Sequence, residues 1–188
     1  MSAITSDAVK RFWEPRLSVW QVQVLPGDVY VTDTAEVIAT VLGSCVSACV
    51  RDRVRGLGGI NHFMLPHDLP GALVAPAARA RYGTYALECL LDEILKRGGR
   101  RCDLEVKVFG GGQVVQGTRD VGKTNIELVR RFFAHEGLPI VAQDVGGTVA
   151  RRVRYWPMTG QVELIRLPMR AAARPCKAHR VNGCSKLR

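Results

Sequence analysis

The stretch from Val22 to Pro66, VQVLPGDVYVTDTAEVIATVLGSCVSACVRDRVRGLGGINHFMLP, is a succession of short apolar runs separated by turn residues. Val22 and Leu25 precede the turn Pro26-Gly27-Asp28, and Val29-Tyr30-Val31 follows it. Val37 to Leu42 is a second β-rich run and ends at Gly43. Val46 to Val50 resumes after that interruption. Arg51 to Arg55 is charged and reads as a turn, and Leu57 to Leu65 is apolar again, with Gly58-Gly59 inside it and Pro66 closing it. Apolar runs bounded by Gly, Pro and Asp are strand signals. Strands that follow one another with no helix between them do not make a regularly wound parallel sheet, so the stretch predicts an α+β fold.

Outward from this stretch the pattern changes twice to helix. Leu87, Leu90, Leu91, Ile94 and Leu95 recur at the spacing of one helical face, and Gly98-Gly99 stops the run. Ile126, Val129, Phe132 and Phe133 do the same over about Asn125 to Glu136, with Thr124 and Glu127 spaced as a capping box. Between the helices, Leu104, Val106 and Val108 alternate with charged residues as a half-buried strand does. Pro139 to Gln143, Val149 to Tyr155 and Val162 to Leu167 read as strands, the last two joined by a turn at Thr159-Gly160. Residues 66–78 read as a loop. Residues 1–19 lack a period and read as an N-terminal arm. A domain over 20–169 follows, then a basic, aperiodic tail over 170–188 that is expected to be disordered.

The composition sets limits. A chain of 188 residues with 47% hydrophobic and 23% charged residues has enough material for one globular core. No apolar run approaches the length of a membrane span, and no apolar block follows the first charges, so neither membrane insertion nor a signal peptide is expected. The protein is accordingly expected in the cytoplasm, where its six cysteines stay reduced. The net charge of +10 invites a nucleic-acid reading. Six of those charges, Arg170, Arg174, Lys177, Arg180, Lys186 and Arg188, lie in the tail, which leaves +4 on the preceding 169 residues. Aromatic residues are only 6% and do not interleave with the basic runs, so no base-stacking platform is indicated and nucleic acid is not an expected partner.

Three constellations carry chemistry. In Leu42-Gly43-Ser44-Cys45-Val46 a cysteine follows a Gly-Ser turn at a strand end, where a sharp turn exposes a side chain and gathers backbone N–H groups around it. A nucleophilic cysteine needs a base, and His62 is the one polar ring in an apolar run. Thr40, just upstream, offers a hydroxyl to orient that ring. The same residues also fit a plainer description, since free cysteines are commonly buried as small hydrophobes and a histidine among apolar neighbours can be a hydrogen-bonded core residue. Cys49 lacks the Gly-Ser turn and reads as packing. The second constellation, Gly117 to Thr124, fits the phosphate-binding P-loop pattern and implies a small nucleotide-binding protein, but its upstream strand context is poor. The third, Cys176, His179 and Cys184, is one ligand short of a zinc site. Arg151, Arg152 and Arg154 read as a solvated basic face.

Thr40-Val41-Leu42-Gly43-Ser44-Cys45-Val46, Gly58-Gly59-Ile60-Asn61-His62-Phe63-Met64-Leu65-Pro66, Phe109-Gly110-Gly111-Gly112 and Asp144-Val145-Gly146-Gly147 occur in an order and at a spacing that resemble the chemoreceptor glutamine deamidase family, CheD. Arg81-Tyr82-Gly83, Gly122 to Asn125 and Arg151-Arg152-Val153 are similar to it as well, and the resemblance covers about Val22 to Leu167. It implies an α/β sandwich of two β-layers with helices packed outside. It also implies a protein-glutamine glutaminase, a cysteine hydrolase that turns glutamines of methyl-accepting chemotaxis receptors into glutamates with release of ammonia. Carried onto this chain, Cys45 is the nucleophile and His62 the general base. Thr40 is the third residue, with Ala39 in the neighbouring slot. The resemblance implies no metal or organic cofactor, and as partners the cytoplasmic domains of the receptors, hence membrane receptor arrays. A CheC-type phosphatase is a possible further partner. A non-catalytic chemotaxis adaptor with the same fold is the alternative that intact Cys45 and His62 speak against.

Overall fold

The protein's structure, a computed structural model, describes residues 9–64, 82–114 and 120–168. The expected tail, with its Cys176, His179 and Cys184 cluster, and the loop after Pro66 lie outside the described residues. Among the described residues, ten strands and two longer helices follow in chain order. The strands are β1 Lys10–Glu14, β2 Val19–Gln23, β3 Val29–Thr32, β4 Glu36–Leu42, β5 Val46–Asp52 and β6 Gly58–Asn61, then β7 Leu104–Gly110, β8 Ile140–Val145, β9 Ala150–Trp156 and β10 Gln161–Leu167. The helix α1 spans Gly83–Lys96 between β6 and β7, and α2 spans Val121–His135 between β7 and β8.

The strands form two five-stranded sheets, ordered β1-β2-β4-β9-β10 and β3-β6-β5-β7-β8. Most neighbours are antiparallel. The exceptions are β2 with β4 and β7 with β8, the latter bridged by α2 as a parallel pair requires. Side-chain alternation explains how the layers stack. On β5, Val46, Ala48 and Val50 point to one face and join the core formed with Leu87, Leu90 and Ile94 of α1 and Val129 and Phe133 of α2. Cys49 points to the other face and meets Ile38 and Leu42 of β4 and Val153 and Tyr155 of β9. The second sheet is therefore covered twice, by both helices on one face and by the first sheet on the other. This is the α+β sandwich of two β-layers with helices outside. Both helices lie on the same side of it.

The helices end where glycine permits. Gly98 has φ +92°, its N–H reaches the Leu95 carbonyl and the Gly99 N–H reaches that of Ile94, the paired bonds of a Schellman stop. Gly137 and Leu138 close α2 in the same way on Ala134 and Phe133.

Three expectations need correction. The boundary of an N-terminal arm at residue 19 falls inside a hairpin, because β1 pairs antiparallel with β2 from Lys10–Gln23 to Glu14–Val19. Four of the five residues of β1 are exposed and the fifth is half-buried, so no alternation marks it in the sequence. The second helix begins at Val121, not near Asn125, and its cap is Asp120, whose carboxylate accepts the Lys123 N–H at 2.9 Å. Thr124 is not a cap; its hydroxyl bonds back to the Asp120 carbonyl within the first turn. The apolar run Leu57 to Leu65 gives a strand only over Gly58–Asn61, followed by a single bridge at Phe63.

Candidate active site

The turn Gly43-Ser44-Cys45 joins β4, in the first sheet, to β5, in the second. Changing sheets forces the chain to turn sharply there, which is what Gly-Ser permits. Each of its three carbonyls is held. Gly43 accepts from the Gly112 N–H at 2.8 Å and Cys45 from the Gly111 N–H at 2.7 Å. Ser44 accepts from Asn125 Nδ2 at 3.0 Å. Gly110 sits at φ +109°, and a Cβ there would collide with the Cys45 carbonyl, so the glycine run after β7 is a close backbone approach to the turn. With the carbonyls engaged on one side, the Ser44 and Cys45 N–H groups have no backbone acceptor among the described residues, and the Cys45 N–H lies toward its own sulfur. Those two donors suit an oxyanion.

Cys45 is half-buried and packs against the core between the sheets. Burial pushes its thiol above the usual range, opposed in part by its own backbone N–H. His62 is 2% exposed. The antiparallel Val46–Phe63 bridge, with N–H to carbonyl distances of 3.1 Å in both directions, sets Cys45 and His62 on either side of one rung, as diagonal neighbours on the two stretches. Thr40 Oγ1 lies 2.8 Å from His62 Nδ1 and 2.9 Å from the Val24 carbonyl. The carbonyl can only accept, so the hydroxyl donates to Val24 and accepts from Nδ1–H. That fixes the tautomer and leaves Nε2 with its lone pair. Nε2 is buried and has no hydrogen-bond partner among the described residues, Cys45 included. Burial lowers the His62 pKa to about 4, the nearby Val24 carbonyl opposing it in part. At neutral pH both groups are therefore uncharged, a thiol and a neutral imidazole.

Of the two slots open to the third residue, Thr40 faces inward with Ile38 and Leu42 and touches His62, while Ala39 has no hydroxyl to offer. Cys49, wholly buried between the sheets with its thiol pKa pushed far up, is packing. The P-loop pattern is not supported by what surrounds it. Gly117, Thr118 and Arg119 lie outside the described residues, but Asp120 already caps the helix amide that a phosphate would need, and its negative charge repels one. Among the described residues no group of three or more His, Cys, Asp or Glu side chains is close enough to hold a metal. None of their helices is long and apolar enough to cross a membrane.

Two residues acquire importance only in three dimensions. Asn125, at the start of α2, is fully buried and bonds both Ser44 and Met64. Arg151 is not part of a solvated face. It is 2% exposed, pairs with Asp144 at 2.6 Å, and donates to the Gly110 carbonyl at 3.1 Å and to the Gly146 carbonyl. On β9 it shares the inward side with Val153 and Tyr155, whereas Arg152 points out. Arg151 thus holds the glycine run that holds the Cys45 turn. In the sequence both residues stand only inside blocks that resemble the family, Gly122 to Asn125 and Arg151-Arg152-Val153, with no role attached to either.

Known proteins resemble this chain in sequence. A family model described as CheD chemotactic sensory transduction matches residues 64–166, a span that begins just after His62. A probable chemoreceptor glutamine deamidase CheD of Hahella chejuensis is 46% identical over 162 residues, covering 86% of this chain and 77% of the relative. Its counterpart from Herminiimonas arsenicoxydans is 50% identical over 142 residues, 74% of this chain and 70% of the relative. One from Halorhodospira halophila is 46% identical over 81% of this chain and 73% of the relative.

Proposed function

The chain belongs to the CheD family of chemoreceptor glutamine deamidases, and from that premise we propose that it hydrolyses glutamine side chains of chemoreceptors to glutamates, with Cys45 as nucleophile, His62 as general base and Thr40 orienting His62. The observation that supports this most is the polarised imidazole, with Nδ1–H held by Thr40 and Nε2 left bare in a buried setting.

The chemistry follows from neutral partners. As a glutamine carboxamide enters, the Cys45 thiol proton passes to His62 Nε2 while the sulfur bonds to the amide carbon. The carbonyl oxygen becomes an oxyanion facing the Ser44 and Cys45 N–H groups. Collapse breaks the C–N bond, and the imidazolium returns its proton to the departing ammonia. Water then attacks the thioester, giving a proton to His62, and the sulfur leaves as thiol with that proton. Glutamate remains on the receptor. Receptor substrates put the protein at membrane receptor arrays.

The test is incubation with receptor cytoplasmic fragments, following ammonia release and the mass change of glutamine to glutamate. Wild type is expected to convert specific glutamines, and Cys45→Ala none. Undiminished conversion by Cys45→Ala removes Cys45 from the reaction. Receptor binding without ammonia release points to an adaptor instead.

A further inference from the structure

Asn125 sits on the first turns of α2, a helix that contributes nothing else to the hydrogen bonding of the Cys45 turn. Its side chain is fully buried. Nδ2 donates to the Ser44 carbonyl at 3.0 Å and to the Met64 carbonyl at 3.1 Å. Those acceptors belong to two separate stretches, the turn that ends in Cys45 and the segment that carries His62. The bridge between Val46 and Phe63 is the last backbone rung joining these stretches among the described residues. Beyond it, among the described residues, the Asn125 carboxamide joins the two stretches as a side-chain rung. The Ser44 and Cys45 N–H groups have no backbone acceptor among the described residues.

The helix is fixed in depth as well as direction. Gly122, one turn before Asn125 and on the same face, rests directly on Gly111, and a Cβ at Gly122 would strike the Gly111 backbone. Gly111 in turn donates to the Cys45 carbonyl. Both helix contacts therefore converge on the same turn from the same side.

We propose that Asn125 is a positioning residue for the deamidation, holding the Ser44–Cys45 turn against the His62–Met64 segment and so setting the approach of thiol to imidazole. It touches no reacting atom and acts through the two carbonyls. The inference rests on Cys45 and His62 being the reacting pair. Its requirement is two N–H donors in one plane. Aspartate has the same shape but would set an oxygen against two carbonyl oxygens. Alanine would leave both carbonyls and the space between them unfilled.

The experiment compares Asn125→Ala and Asn125→Asp with wild type in three readouts: steady-state kinetics on a receptor cytoplasmic fragment, iodoacetamide alkylation of Cys45 read peptide by peptide, and thermal melting. Both variants are expected to lose kcat on the order of a hundredfold with KM nearly unchanged, as misplacement of reacting groups does. Cys45 alkylation is expected to change in rate while Cys102 alkylation does not. Because Asn125→Asp keeps the volume, it carries the test if Asn125→Ala does not fold. A folded variant with wild-type kcat and wild-type Cys45 alkylation overturns the proposal, and so does a raised KM at unchanged kcat. Alkylation needs no receptor. Wild type that releases no ammonia therefore sinks the deamidase reading, while the alkylation comparison still decides the role of Asn125.

Discussion

At His62, burial and one hydroxyl divide the properties of the ring. Thr40 decides which nitrogen bears the proton, and the surrounding core keeps the ring neutral down to a pKa of about 4. An unfolded histidine takes up a proton near pH 6.5, so between these values the unfolded chain binds a proton that the native state refuses. Stability from this residue is full above pH 6.5 and is lost as pH falls toward 4, on the order of 3 kcal/mol in all. Glu36, Glu105, Asp52 and Asp144 have pKa values held below the usual carboxylate range by hydrogen bonds and arginines, against the burial that would raise them. Their contributions are lost only in stronger acid. Urea melts of wild type are expected to weaken over the histidine window and those of His62→Asn to stay flat there. Parallel curves would mean that the ring is solvated. Cys45, His62 and Thr40 could be proposed from the sequence because Cys45 follows a Gly-Ser turn at a strand end, His62 is a polar ring in an apolar run and Thr40 is a hydroxyl just upstream. Asn125 and Arg151 stood only inside family-like blocks with no role attached, because their partners lie up to 81 residues away and an arginine facing inward differs from its neighbour Arg152 only by strand parity.

Element by element, the strands were legible wherever one face was apolar and a turn residue ended the run, as at Gly43 and at Thr159-Gly160. The start of α2 was not. Val121 and Gly122 are weak helix formers, so the period becomes visible only later, and Thr124 with Glu127 imitates a capping box three residues inside the true helix. Gly122 is there for contact. Alanine at this position would gain about 1 kcal/mol of helix propensity. It would also drive a methyl group into the Gly111 backbone, and overpacking of that kind costs about 1–3 kcal/mol, so the collision is expected to win. Gly122→Ala should melt below wild type and deamidate more slowly, because the helix can relieve the contact only by withdrawing Asn125 from Ser44 and Met64. A melting temperature above wild type would show that propensity governs the position.

For the molecule as a whole, the reading of strands and helices left open which layer covers which, because alternation along a strand shows that a face is buried but not by what. The answer places the two sheets in unequal settings. β5 and β7 lie inside the second sheet, have neighbours on both edges and are covered on one face by α1 and α2 and on the other by the first sheet. The first sheet has its inner face in the core, but its edge strand β1 is exposed along most of its length and Trp13 and Trp20 stand 49% and 42% open to solvent. Opening free energies follow buried contacts, so the sheets should not open together. In native-state hydrogen exchange, amides of β5 and β7 are expected to exchange only through global unfolding, while β1 and β10 exchange through smaller openings with weak denaturant dependence. The Cys45 turn crosses from one sheet to the other. Partial opening of the first sheet should therefore also raise Cys45 alkylation, at a denaturant concentration where β5 and β7 are still protected. Equal protection in β1 and β5, with Cys45 reacting only at the global transition, would instead make the sandwich a single cooperative unit.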